Sequence, residues 1–219
     1  MNLEERKAIL GGVLLAAGPS SRLGQSKQLV RLDGESLARK SARLMLDVGL
    51  ENVTVVCGCR SDQVKEELVD LPVGTVFNRD WEQGMGSSIN CGVRSMPQGV
   101  DGVMLMVCDQ WRLRADDLNR LIDAWLSDIS RVCVACWDEG EAFVSGPPAV
   151  FPRKLIPELK GMQPGRGARQ LIDRYMDLVE YVKMENAALD LDRPEDLERL
   201  KADSPQVSPR RATPRSPNS

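Results

Sequence analysis

Apolar positions along this chain fall into two alternating kinds of pattern. AILGGVLLAA (8–17) is a continuous apolar run of the sort that forms a strand buried on both faces. ESLARKSARLMLDVG (35–49) repeats its apolar residues at helical spacing and stops at Gly49, which suits the position just past a helix end. The same succession continues. Strands are predicted at 52–58, 74–78, 101–109, 131–137, 147–152 and 178–184. Helices are predicted at 62–70, with Ser61-Asp62 as its cap, and at 85–96, 114–126, 167–177 and 193–202, the last with Pro194 in its first turn. Strands alternating with helices imply an α/β fold, a mostly parallel sheet with helices on both faces in three layers. The expected organisation is a single domain over 1–202, followed by a disordered Ser/Pro/Arg-rich tail, DSPQVSPRRATPRSPNS (203–219), too poor in apolar residues to offset its ordering entropy.

Charge and composition narrow the chemistry. The net charge of -3 argues against a nucleic-acid partner, which needs a basic surface. No apolar run is long enough to span a bilayer, so no membrane partner is expected. The charged opening MNLEERKAIL has no signal-peptide core, and the expected location is cytoplasmic. The chain has no histidine, which excludes a Ser-His-Asp triad, a Cys-His pair and any His-ligated metal. Cys133 and Cys136 have the spacing of a redox or zinc pair, but on a strand they face opposite ways, so they are expected to be buried thiols.

One stretch stands apart from the alternation. LAAGPSSRLGQSK (15–27) leaves the end of the first strand, where open parallel sheets bind ligands. Gly18 and Gly24 allow positive φ and close approach of backbone, so successive N–H groups can face an anion. Arg22 and Lys27 add full charges. Neither G-x-x-x-x-G-K-[ST] nor G-x-G-x-x-G is present. By composition the stretch is either a polyphosphate cradle or a glycine turn carrying two solvated cations.

LAAGPSSRLGQSK resembles the L-A-[AG]-G-x-S-x-R-x-G-x-x-K signature of nucleotidyltransferases with a Rossmann-like fold. The resemblance continues in order through FNRDWEQGMGSSINCGV (77–93), LMVCDQ (105–110), SGPPAVFPR (145–153), GRGARQLI (165–172) and LDLDRPEDL (189–197), and points to the molybdenum cofactor cytidylyltransferase branch. It implies transfer of CMP from CTP to the phosphate of molybdenum cofactor (molybdopterin) with release of pyrophosphate, and a molybdoenzyme as recipient of the product. The alternatives are a guanylyltransferase for the same cofactor, a sugar- or polyol-phosphate nucleotidyltransferase, and a non-catalytic cofactor carrier or insertion factor.

Such a transfer needs alignment and charge neutralisation rather than a protein nucleophile, so the lack of histidine is no obstacle. The resemblance implies a nucleotide site of Leu15, Ala16, Ala17, Gly18, Ser20, Arg22, Gly24 and Lys27, joined by Gly84, Ser88 and Asp109. By the same resemblance Lys27 and Arg22 would be the catalytic cations, Arg22 on the β- and γ-phosphates and Lys27 between the α-phosphate and the leaving oxygen. Asp109 and Asp192 would hold Mg²⁺ or Mn²⁺, with Asp190 ranked second because it is expected to point away from Asp192. By residue type alone, Asp109 is equally a turn aspartate and Asp192 a helix cap. Ala17 stands where the guanylyl branch tends to have glycine, and its methyl leaves less room for a purine. The family usually has Gln-Pro after the metal aspartate, whereas this chain has Gln110-Trp111; Trp111 is expected to pack against the protein rather than stack on a substrate. Deleting residues 204–219 is expected to leave activity and melting temperature nearly unchanged; a large fall in melting temperature would show that the segment packs.

Overall fold

The computed structural model describes residues 8–203, with side chains described to 201. Its strands and helices, in chain order, are β1 (Leu10–Ala16), β2 (Arg31–Leu32), β3 (Glu35–Ser36), α1 (Leu37–Asp47), β4 (Asn52–Cys57), α2 (Ser61–Leu68), β5 (Gly74–Phe77), α3 (Met85–Ser95), β6 (Gly102–Val107), α4 (Ala115–Ser127), β7 (Val132–Glu139), β8 (Ala142–Pro152), α5 (Ile156–Lys160), α6 (Arg169–Arg174), β9 (Val179–Lys183) and α7 (Pro194–Asp203). The main sheet runs β5-β4-β1-β6-β8-β7-β9. β1 pairs in parallel with β4 and β6, and β4 with β5. β8 is antiparallel to both its neighbours, β6 and β7, whereas β9 is parallel to β7. The sheet is therefore mostly parallel, as the alternation of elements predicts.

Side-chain alternation along the central strands feeds two cores. Leu14 of β1 and Met104 and Met106 of β6 pack with Met45 of α1, Val64 of α2 and Trp125 of α4 on one face. Val13, Val103 and Leu105 pack with Ile89 of α3, Leu159 of α5 and Ile172 of α6 on the other. A third cluster, Leu23, Val30, Leu32, Leu37, Trp111, Leu191 and Leu200, brings the loop after β1 together with the loop after β6 and with α7.

Several local features differ from the sequence-based expectations. The β2–β3 pair was not anticipated, although Asp33 (φ 53°) and Gly34 (φ 84°) form the two-residue positive-φ turn that an Asp-Gly dipeptide favours. β8 starts five residues before the expected 147, because it forms a hairpin with β7 in which Glu139 faces Ala142. α5 was missed and α6 is shorter than 167–177. Ser61 does not cap α2; it is the first helical residue, preceded by Arg60 in the left-handed region with no side-chain cap bond. Gly49 does lie just past α1, with φ 84°. Of the expected tail, residue 203 ends α7, and 204–219 lie outside the described residues. No helix among the described residues is long and apolar enough to cross a membrane.

Trp125 is fully buried against Gly102 of β6. Trp125→Ala should lower the unfolding free energy by about 3–5 kcal/mol, through lost burial and the cavity left behind, as measured by urea denaturation.

Candidate active site

β1 delivers the chain to the carboxyl edge of the sheet. There the Ala17 carbonyl accepts a hydrogen bond from Cys59 N at 3.0 Å, which ties the loop to the end of β4. The left-handed residues of the loop are Ser20 (φ 55°) and Gly24 (φ 73°); Gly18, expected to take that conformation, is not among them. Ser20 is held in this sparsely populated region by accepting from Leu23 N at its carbonyl (3.1 Å) and from Lys27 N at its Oγ (3.0 Å). Gln28 closes the loop from beneath. It is 1 % exposed, its Nε2 donates to the Gly18 carbonyl at 2.6 Å, and its Oε1 accepts from Ser26 Oγ at 2.6 Å. Gln28 follows Lys27 where a phosphate-loop pattern would have Ser or Thr, and nothing in the sequence pointed to this role. Gly18, Ser20, Arg22, Lys27, Leu191 and Asp192 line a cleft of about 220 Å³.

Two carboxylates distant in sequence meet this loop. Asp109 follows β6, and its carbonyl accepts from Leu191 N at 3.1 Å, so the 190–192 segment is drawn alongside it. Lys27 Nζ donates to Asp109 Oδ2 and, at 3.1 Å, to Asp192 Oδ1. Arg22 Nη1 donates to Asp192 Oδ2, also at 3.1 Å. Burial alone would lower the Lys27 pKa, but the charge and hydrogen bond of Asp109 and the bond to Asp192 outweigh it and hold Lys27 above its usual value. Burial pushes the Asp192 carboxyl up, yet Lys27 and Arg22 together bring it below the ordinary range. Leu191, between Asp190 and Asp192, is fully buried. Asp190 lies near enough to feel both carboxylates; partial burial and the charges of Asp109 and Asp192 raise its pKa.

Among the described residues no group of three or more His, Cys, Asp or Glu side chains is arranged to hold a metal ion. The Asp109–Asp192 pair nevertheless fits Mg²⁺ or Mn²⁺. Both carboxylates converge on one cationic atom, and Asp109 Oδ1 is buried without a partner. Magnesium commonly takes one or two carboxylates and fills its remaining positions with phosphate oxygens and water.

Gly84 and Ser88 flank the start of α3. Gly84 has φ 114°, and a Cβ there would lie 2.8 Å from the Pro164 carbonyl; a Cβ on Gly86 would lie 1.9 Å from the Gln163 carbonyl. The glycines of GMGSS thus let the turn at 163–166 press against the helix start. Ser88 is buried, and its Oγ accepts from Asn78 Nδ2 at 3.0 Å; the same amide also donates to Ser87 Oγ at 2.8 Å. Asn78, which the sequence placed only at a strand end, therefore orients both serines. Next to Gly84, Met85 shares a cavity of about 230 Å³ with Leu15, Ile89, Leu105, Pro147 and Ile172. Ser145 and Arg169 supply its only polar side chains.

Trp111 is 2 % exposed and sits among Leu23, Val30 and Leu191, so it packs rather than stacks. Cys133 and Cys136 are both buried, and only Cys133 joins the core that contains Trp125. Burial pushes Cys57 up to about 11 and Cys133 up to about 12, so neither is a poised thiolate. Gln110 has no role of its own in the sequence-based expectations. It is 4 % exposed, and its Nε2 donates to the carbonyls of Pro147 (2.7 Å) and Ala187 (2.8 Å), clamping β8 and the turn before Asp190 to the Asp109 loop. Gln110→Ala should strand both carbonyls and cost about 1–3 kcal/mol for each one left unpaired; chemical denaturation measures it.

Residues 12–179 match the family model described as MobA-like NTP transferase domain. The chain is 32% identical over 177 residues to the purine catabolism protein PucB of Bacillus subtilis, covering 76% of this chain and 82% of that one. It is 30% identical over 194 residues to the nicotine blue oxidoreductase of Paenarthrobacter nicotinovorans, covering 86% and 95%. It is 27% identical over 127 residues to a probable molybdenum cofactor guanylyltransferase of Opitutus terrae, covering 57% and 55%. Among solved structures, a nucleotidyl transferase from Methanothermobacter has a TM-score of 0.74 at 21% identity, covering 89% of this chain and 97% of that one. Rv0371c of Mycobacterium tuberculosis, solved as a manganese complex, has a TM-score of 0.73 at 20% identity, covering 89% and 98%. The fold, the glycine loop at the sheet edge and the family match agree: the chain is a nucleotidyltransferase of the MobA-like NTP transferase family.

Proposed function

We propose that the protein transfers CMP from CTP to the terminal phosphate of molybdenum cofactor, releasing pyrophosphate and forming the cytosine dinucleotide cofactor. The observation that carries this reading is the convergence of Lys27, Arg22, Asp109 and Asp192 on one cleft beside the glycine loop. A phosphate oxygen of the acceptor attacks the α-phosphorus of the nucleotide. The bond from the α-phosphorus to the bridging oxygen breaks, and pyrophosphate leaves with the electron pair. Arg22, at the exposed mouth of the cleft, neutralises the β- and γ-phosphates. Lys27, whose raised pKa keeps it charged at neutral pH, meets the charge that grows on the leaving oxygen. A divalent cation bound by Asp109 and Asp192 would supply further neutralisation of the phosphate charge. Mg²⁺ and Mn²⁺ are expected to serve; the manganese complex of a fold neighbour supports this.

CTP is preferred because Ala17 stands where the guanylyl branch tends to have glycine, and a methyl at that position would leave less room for a purine. A single methyl discriminates only about 10–200-fold, and the guanylyltransferase relative keeps GTP as the alternative donor. On the acceptor side, the cavity between α3 and α6 offers apolar walls to a flat ring system, with Arg169 and Ser145 for its polar groups. Those walls suit a polyhydroxylated sugar or polyol phosphate poorly, since buried hydroxyls need partners. One relative is named as an oxidoreductase, so membership of the family does not by itself fix the reaction. The intact set of Lys27, Asp109 and Asp192 favours transfer over a carrier role.

Pyrophosphate release should be fastest with CTP across the four ribonucleotides, and should require molybdenum cofactor and Mg²⁺ or Mn²⁺. Lys27→Ala should lower kcat by about 10²–10³ with a smaller change in KM for CTP. Arg22→Ala should chiefly raise that KM, because its phosphate contacts already exist in the ground state. Wild-type kinetics in both variants would remove the main support for the reading.

A further inference from the structure

The residues assigned to the divalent cation already hold a cation, and it belongs to the protein. Lys27 Nζ contacts Asp109 Oδ2 and Asp192 Oδ1, and Arg22 takes the second oxygen of Asp192. Three of the four carboxylate oxygens are therefore engaged by side-chain cations, and the fourth, Asp109 Oδ1, is buried and unpartnered. An ion bound to both carboxylates needs metal–oxygen distances of about 2.0–2.1 Å, and Lys27 Nζ stands in the same space. Like charges at that separation repel, so the ammonium and the divalent ion exclude one another.

The ammonium has somewhere else to go. The backbone of Lys27 is held by its N–H bond to Ser20 Oγ and by the buried Gln28 beside it, and a lysine's four-carbon stem has the rotatable bonds to re-aim the ammonium without moving that backbone. Lys27 also lines the cleft of the glycine loop, together with Arg22 and Asp192. Phosphates entering that cleft offer Lys27 and Arg22 new anionic partners and release the carboxylates.

On the transferase reading above, we propose that Lys27 decides when the divalent cation enters: it occupies the Asp109–Asp192 seat in the nucleotide-free protein and yields it when a nucleoside triphosphate binds. Lys27 thereby couples the two ligands, and each raises the affinity of the other by the same factor. The metal does not accumulate on an empty enzyme.

The test is Mn²⁺ binding to the full chain, read by electron paramagnetic resonance of free Mn²⁺, with and without CTP. Lys27→Met removes the charge and keeps much of the stem, and Lys27→Gln is a second neutral variant should Lys27→Met fail to fold. Without CTP, the neutral variant should bind Mn²⁺ about tenfold or more tighter than wild type, within the usual range of coupling between sites. The gain in Mn²⁺ affinity on adding CTP should be smaller in the variant by at least the same factor. Asp109→Asn in the variant background should abolish the gained binding. If wild type binds Mn²⁺ with CTP and the neutral variant binds it no tighter alone, this proposal is overturned while the transferase reading stands. If wild type does not bind Mn²⁺ even with CTP, or Asp109→Asn leaves binding unchanged, the metal assignment falls and this proposal with it.

Discussion

β1 lies in the middle of the sheet, hydrogen-bonded to β4 on one edge and β6 on the other, with its side chains divided between two cores. It has no polar side chain, and all its residues except the half-buried Leu15 are buried. Past the buried Ala17 the chain first reaches open space at Gly18 and Pro19, at the carboxyl edge, and there the backbone groups of the following loop need partners. Ser20 and the buried Gln28 supply some of these from within, which shapes a cleft rather than a collapsed turn. Parallel pairing of β1 with β4 and β6 places the loops that follow all three strands at that edge.

Backbone hydrogen bonding then assembles the rest of the site. The bond from Leu191 N to the Asp109 carbonyl joins segments that pair with no common strand, and Gln110 reinforces it through Pro147 and Ala187. Trp111 and Leu191 bury their side chains in the same small cluster as Leu23 of the glycine loop. The apolar residues adjoining the charged ones thus act as the anchor, and Asp109 and Asp192 face Lys27 because Trp111 and Leu191 face inward. Where the family usually has proline, Trp111 trades a fixed φ for burial.

The electrostatics follow from that enclosure. Lys27 is mostly buried, and an unpaired ammonium there would be costly, so its charge is balanced by two carboxylates. Partial burial, and then the charges of Asp109 and Asp192, raise the pKa of Asp190. Incoming phosphates and a divalent cation would exchange these partners without leaving a buried charge alone.

The sequence by itself determined the alternation of elements, the mostly parallel sheet, the loop at the end of β1 and the residues with charges to offer. These are local properties: period, run length, and glycine and cation spacing are all read within a few residues of one another. β8 as the one antiparallel strand of the main sheet was not legible, since its apolar run suits either direction and the hairpin with β7 decides it. The roles of Gln28, Asn78 and Gln110 were equally hidden, because a buried amide is recognisable only from the carbonyls and hydroxyls that fold around it. The placement of Lys27 between Asp109 and Asp192 was decided by tertiary structure alone. Contacts between residues so far apart along the chain depend on which strands lie side by side, and no pattern of neighbouring residues encodes that order.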